Sequence, residues 1–154
     1  MATNLTVRPI ARADYDQWRP LWDGYNAFYG RSGATAVPLD ITNTTFDRFF
    51  CDDEPLFALV AERDRSIVGL AHYLFHRSTN MLEPKCYLED LYTEEQSRST
   101  GVGRALIAAV YEEAYRAGST RVYWHTHNTN IRARLLYDTM ADNSGFIVYR
   151  KDLK

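Results

Sequence analysis

Apolar positions along this chain follow two periods, and the changes between them lay out the elements. Leu5 to Arg8 alternates as a short first strand, after which Trp18, Leu21, Trp22, Tyr25, Phe28 and Tyr29 recur at helical spacing on one face. Pro20 must sit near the first turn of that helix or kink it. The aromatic stripe reads first as core, and its far end, Tyr25 to Tyr29, could equally border a cleft. Gly30 to Pro38 is a loop, and Ile41, Thr45, Phe46 and Phe49 predict a short helix over Asp40 to Phe50. Leu56 to Ala61 and Ile67 to Phe75 are β-type runs joined by the polar Glu62 to Ser66, so they should pair antiparallel. Lys85 to Thr93 is the fourth strand. Val102, Leu106, Ala109, Val110 and Ala114 then share one side of a helix over Gly101 to Ala117, with Gly118 just past its end. Arg121 to Thr126 predicts a fifth strand, Asn130 to Met140 a helix and Gly145 to Arg150 a last strand. The order βααβββαβαβ is that of an α/β domain with a mixed sheet.

Length changes this picture only by fixing its scale: 154 residues suit one domain spanning 1–154, able to bury roughly two thirds of its unfolded surface. A composition 45% hydrophobic and 25% charged is that of an ordinary globular protein. With 18 basic and 20 acidic residues the chain offers no extended nucleic-acid footprint, and no nucleic-acid partner is expected. No apolar run approaches the ~20 residues that span a bilayer, so no membrane role is expected either. Cys51 and Cys86 stand alone, without a CxxC or a signal-peptide pattern at the polar N-terminus, which predicts reduced thiols in the cytoplasm. Cys86 reads as core.

Candidate chemistry concentrates where the fourth strand ends. Tyr87-Leu88-Glu89-Asp90-Leu91-Tyr92-Thr93 is followed by Arg98-Ser99-Thr100-Gly101-Val102-Gly103-Arg104 and a helix start. Glycines two apart allow a tight turn, and the free N–H groups of the helix start suit a pyrophosphate. No Gly-Lys-Ser/Thr follows, which disfavours nucleotide hydrolysis, and the third glycine of a dinucleotide fingerprint is missing near Leu106.

The Arg-x-x-Gly-x-Gly arrangement at Arg98, Gly101 and Gly103 resembles the coenzyme A pyrophosphate loop of the GCN5-related N-acetyltransferases. Downstream, Asn130-Ile-Arg-Ala133-Arg-Leu-Leu136-Tyr137 is similar to that family's Asn-x-x-Ala-x-x-Leu-Tyr helix at matching spacing. Leu21 to Tyr29, Tyr87 to Asp90 and Val122 to Trp124 look most like the Hpa-type branch and, more distantly, the diamine acetyltransferases. The similarity runs from about residue 5 to 151, with one departure: Ala141-Asp142 stand where the family usually has Gly-Phe or Gly-Tyr, and Gly145-Phe146 are displaced.

The resemblance implies the GNAT fold, with a mostly antiparallel sheet whose fourth and fifth strands splay, and acetyl-CoA lying in the gap. Its pantetheine would pair with the backbone of Leu91, Tyr92 and Thr93, its pyrophosphate with the loop from Arg98 to Arg104, and Asn130 would touch it from the other side. It also implies a homodimer. Tyr137 is implied as the acid that protonates the departing thiolate, and Glu89 as the base or orderer of a basic water.

An alkyl amine, with pKa ~10.4, arrives charged and needs such a base. Glu89 and Asp90 could both attract it, although strand alternation lets at most one point into the cleft. Asp90 and His72 are the reserves for the base. His72 and His76 are about 13 Å apart on a strand, and His125 and His127 have no third ligand, so no metal is expected. The expected activity is direct acetyl transfer from acetyl-CoA to a primary amine: a polyamine, a small amino compound or a lysine. Two alternatives remain open, a coenzyme A binding module without activity and a protein or histone lysine acetyltransferase.

Overall fold

The computed structural model describes residues 4–154. Its elements are β1 (Leu5–Pro9), α1 (Tyr15–Phe28), α2 (Leu39–Arg48), β2 (Leu56–Arg63), β3 (Ser66–His76), β4 (Lys85–Thr93), α3 (Val102–Arg116), β5 (Val122–Tyr123) and α4 (Ile131–Met140). The five strands form one sheet in chain order, antiparallel from β1 to β4 and parallel between β4 and β5. This is the mixed, mostly antiparallel α/β sheet expected. Asp64 and Arg65 close the β2–β3 hairpin at φ 51° and 68°, a two-residue turn whose hand matches the twist of its strands.

The two faces of the sheet bury different cores. Against one lies α3, whose Val102, Leu106, Ile107, Val110 and Ala114 join Leu59, Val68, Ala71, Cys86 and Leu88. Gly118, at φ 81°, ends that helix, and the Ser119 N–H turns back to the Ala114 carbonyl at 2.9 Å. Against the other face lie α1 and α2, through Trp18, Leu21, Trp22, Tyr25 and Phe46. Pro20 stands inside α1, beyond its first turn, so the helix does without one internal hydrogen bond there.

Two expectations at the C-terminal end fail. β5 is confined to Val122–Tyr123 instead of running from Arg121 to Thr126, and residues 145–150 form no strand. Past α4 every residue is exposed, Phe146 by 90% and Tyr149 by 89%, and the Gly145 N–H bonds only locally, to Asn143 Oδ1 at 2.9 Å. A run of β-branched and aromatic residues marks what can become a strand, but a strand also needs an edge to pair with, and this segment does not pair with β5. Among the described residues no helix is long and apolar enough to cross a membrane.

Candidate active site

β4 carries the site because it loses a neighbour halfway along. Its pairing with β5 consists of Cys86 with Val122 and Tyr87 with Tyr123, so from Leu88 to Thr93 its outer edge has no strand beside it. On the inner edge Leu88 pairs with Tyr73 and Asp90 with His72, which leaves Glu89 as the extra residue of a β-bulge. The bulge resets the alternation. Leu88 and Leu91, three apart, both pack on the α3 core, whereas Tyr92 packs on the α1 core. Asp90 consequently meets His72 on the α1 side, and both lie near enough to Glu89 for their charges to act on its carboxyl. The expectation that only one carboxylate could face the cleft is thereby corrected: an unpaired residue in the strand brings both to the same side.

At the end of β4 the loop before α3 takes left-handed backbone at Ser99 (φ 62°) and Gly101 (φ 91°). The first helical bond of α3 runs from the Ala105 N–H to the Gly101 carbonyl, at 3.0 Å, and no side chain caps the helix. The first-turn N–H groups of Val102, Gly103 and Arg104 are therefore free donors beside a positive dipole end. Arg63 braces the loop through Thr100 Oγ1 (2.9 Å), and Arg132 of α4 donates to Ser99 Oγ (3.1 Å). Arg98 donates to the Thr93 carbonyl at 3.2 Å with its guanidinium 5.5 Å from the Tyr92 ring centre. Arg104 instead turns to the end of α4, donating to Thr139 Oγ1 at 2.9 Å. Gly103 is small for packing: a Cβ there would stand 3.1 Å from Leu136 Cδ2.

Past the end of α1, the Tyr29 ring lies 5.8 Å from that of His127, beyond β5, so this end of the helix faces the gap between β4 and β5. Burial raises the Tyr25 hydroxyl well above the usual phenol range and raises that of Tyr29 as well; the nearby Asp90 charge adds to both, and Arg31 opposes both. The exposed Arg31 guanidinium lies 5.8 Å and 5.6 Å from the centres of those two rings. Glu89 is held above the ordinary carboxylate range by desolvation within the cleft, then by Asp90, with His72 acting the other way. The residue as a whole remains exposed, so the desolvation is partial. Tyr137 of α4 packs edge-on against Trp124, ring centres 5.4 Å apart. Burial, with a smaller contribution from Tyr29, pushes its hydroxyl up to about 12, so it is protonated at neutral pH. Among the described residues that hydroxyl has no protein partner. Asn130 does not cap α4 with its side chain, which donates instead to Thr126 Oγ1 at 3.2 Å.

The other polar candidates are occupied. His72, the reserve base, is 1% exposed and has both ring nitrogens engaged, by Trp18 and Asp90. His76 meets the Tyr123 hydroxyl at 2.7 Å and His125 that of Tyr87 at 3.2 Å. Burial pushes the Cys86 thiol up to about 12, leaving it a core residue. No group of three metal-ligating side chains occurs among the described residues. The residues that sequence reasoning missed are Trp18 as a polar partner and Arg132, because each acts across elements far apart in the chain, and Arg31, which folds back from the loop onto Tyr25, Asn26 and Tyr29.

Residues 18–141 match the acetyltransferase (GNAT) family. The chain belongs to that family. It is 35% identical over 150 residues to the D-amino-acid N-acetyltransferase HPA3 of Saccharomyces cerevisiae, covering 96% of this chain and 91% of the yeast protein. The fold is shared with a transcriptional regulator from Bacillus halodurans, at TM-score 0.82 and 17% identity over 97% of this chain and 100% of that one. It is shared as well with the aminoglycoside N-acetyltransferase AAC(6')-Iy in complex with CoA, at TM-score 0.77 and 20% identity over 99% and 98% of the two chains. As a GNAT member the protein is an acetyl-CoA-dependent N-acetyltransferase. The uncapped α3 start and the unpaired edge of β4 fit that cosubstrate, since both leave backbone donors that a pyrophosphate and an amide-bearing chain would satisfy.

Proposed function

We propose that the enzyme acetylates the amino group of a small amine, and that a free amino acid suits the site best. The observation that carries this is the meeting of opposite charges at the end of α1: Asp90 and Arg31 both act on Tyr25 and Tyr29, with the Arg31 guanidinium 5.8 Å and 5.6 Å from the two ring centres and its Nε held by Asn26 Oδ1. Asp90 and Glu89 would draw the ammonium and Arg31 the carboxylate. The yeast relative, named for D-amino acids, supports the same class. Acetyl-CoA would be held by the first-turn N–H groups of α3, by Arg98 and Arg132, and by the backbone from Leu91 to Thr93, and it supplies an activated acetyl thioester. Glu89 takes the amine proton, directly or through one water, and its raised affinity for protons brings it closer to that task. Tyr137 gives its hydroxyl proton to the departing thiolate.

A panel of amines with detection of released thiol tests the reading. Free amino acids of one hand should outpace polyamines and lysine peptides; faster turnover of peptides would favour a protein lysine acetyltransferase. No thiol release with any amine of the panel would leave a coenzyme A binding module.

We also read the whole chain as one functional unit in the cytoplasm, consistent with two free thiols, and as a homodimer. Support for the dimer is the exposed, continuously apolar and unpaired run Phe146 to Tyr149, together with a β5 whose outer edge is free. Light scattering that found only monomers would exclude it.

A further inference from the structure

Behind Asp90 lies a chain of polar contacts that the acetyl transfer itself does not use. Trp18, fully buried on α1, brings its Nε1 to 3.0 Å from His72 Nε2. His72 Nδ1 is in turn 2.9 Å from Asp90 Oδ2. The imidazole is enclosed by aromatic rings, with centres at 4.7 Å (Phe49), 5.4 Å (Trp22) and 6.0 Å (Trp18). Asp90 is the one member of the chain that reaches the cleft, its side chain 13% exposed against 1% for His72.

An indole N–H can only donate. His72 Nε2 must therefore present its lone pair, the ring proton sits on Nδ1, and Nδ1–H donates to the carboxylate. A second proton on Nε2 would set two N–H groups against each other in a site that excludes water. Burying a tryptophan N–H and an imidazole is costly unless each finds a partner, and here each partner fixes the next. The cross-strand pair of His72 and Asp90 owes its place to the bulge at Glu89.

We propose that His72, locked as its Nδ1–H tautomer by Trp18, is a positioning residue that fixes the Asp90 carboxylate as the anchor for the acceptor's ammonium group. It rests on the amine-acceptor reading above. His72 acts only through Asp90, so its loss should weaken acceptor binding and leave acetyl-CoA binding alone. Other ionisable groups close to the His72–Asp90 pair are Glu89 on β4, Tyr25 on α1 and Tyr29 just past its end; α2 and its C-terminal end contribute aromatic rings only.

Nitrogen-15 NMR of the histidine rings of the intact enzyme reads the tautomer directly. The expected result for His72 is a protonated Nδ1 and an unprotonated Nε2 at neutral pH. An Nε2–H tautomer or an imidazolium would overturn the proposal even if every variant misfolded. His72→Phe removes the donor at similar volume and should raise KM for the amine roughly 10-fold to 100-fold, the scale of a hydrogen bond to a charged group. KM for acetyl-CoA should stay put. His72→Gln, which can present an N–H, should recover part of the loss, and Trp18→Phe should give a smaller rise in amine KM together with a mixed tautomer signal. Asp90→Asn separates the two levels of the argument. If it leaves amine KM unchanged, the amine-anchor reading fails; if it raises KM while His72→Phe and Trp18→Phe do not, the positioning role alone fails.

Discussion

The two faces of the sheet solve different problems with different residues. On the α3 side the core is almost wholly aliphatic, Tyr73 and Cys86 apart, and what that side offers a ligand is backbone: the first turn of α3 and the free edge of β4. On the α1 side the core holds two tryptophans, and it buries Asn26, Thr42 and His72 among them, each with a hydrogen-bond partner. What that side offers is side-chain chemistry. A backbone site needs only a rigid scaffold, whereas ionisable side chains aimed at a cleft need partners behind them, because buried polar groups are costly when unpaired. Polar residues thus collect on the face where we propose that the acceptor binds.

The largest effect tests the scaffold. Leu106 is fully buried in the aliphatic core, so Leu106→Ala should cost about 2–5 kcal/mol of stability, read as a lower melting temperature or urea midpoint. Amine KM of the protein that remains folded should not change. A shift in amine KM without a loss of stability would erase the division between the faces. Tyr137 reaches the cleft from the α3 side yet offers a side chain, and so marks where the division ends. Tyr137→Phe keeps the ring and its packing on Trp124, so kcat should fall roughly 10-fold to 10³-fold with melting temperature and coenzyme A affinity unchanged. Full activity, with the chemical step rate-limiting, would remove it as the acid.

Glu89 sharpens the comparison from the other face. Glu89→Gln should lower kcat/KM for high-pKa amines roughly 10²-fold at neutral pH. The group must be ionised to accept a proton, and its affinity for protons is raised by desolvation and by Asp90. Activity should therefore be lost as pH falls through that raised value, above the range in which an ordinary glutamate titrates. Glu89→Gln should lack this limb, and its deficit should shrink as pH rises and the amine deprotonates unaided. An acid limb surviving unchanged in the variant would assign it to another group, Asp90 being the nearest.

Much of the fold was legible because its signals are local. The boundaries of β4 follow from composition alone, and α3 follows from Val102, Leu106, Val110 and Ala114 with Gly118 beyond. The turn before α3 was legible too, since glycine marks backbone that other residues avoid. What could not be read depends on partners. The bulge at Glu89 exists only in the register of β4 against β3, so alternation within the strand gives the wrong face for one carboxylate. The bond from Trp18 to His72 joins residues 54 apart in the chain. Phe146 to Tyr149 has the β-branched and aromatic residues of a strand and no edge to meet, which no local pattern reports.

The smallest effect separates two glycines that a motif treats alike. Gly101 lies at φ 91° with nothing within 4 Å of a built Cβ, so its requirement is conformational. Gly101→Ala meets no neighbour, and left-handed backbone costs an L-residue roughly 1–2 kcal/mol, enough to weaken coenzyme A binding about tenfold. At saturating acetyl-CoA kcat should be retained, because α4 has not moved. Gly103 has no such strain but its Cβ would crowd Leu136 on α4, one residue before Tyr137. Gly103→Val should then lower kcat as well as affinity, since displacing α4 displaces the Tyr137 hydroxyl. Calorimetry with coenzyme A and saturation kinetics on the two variants give the answer. Equal losses in both quantities for both variants would mean that the loop and α4 move as one body, and that backbone and side-chain sites are not independent here.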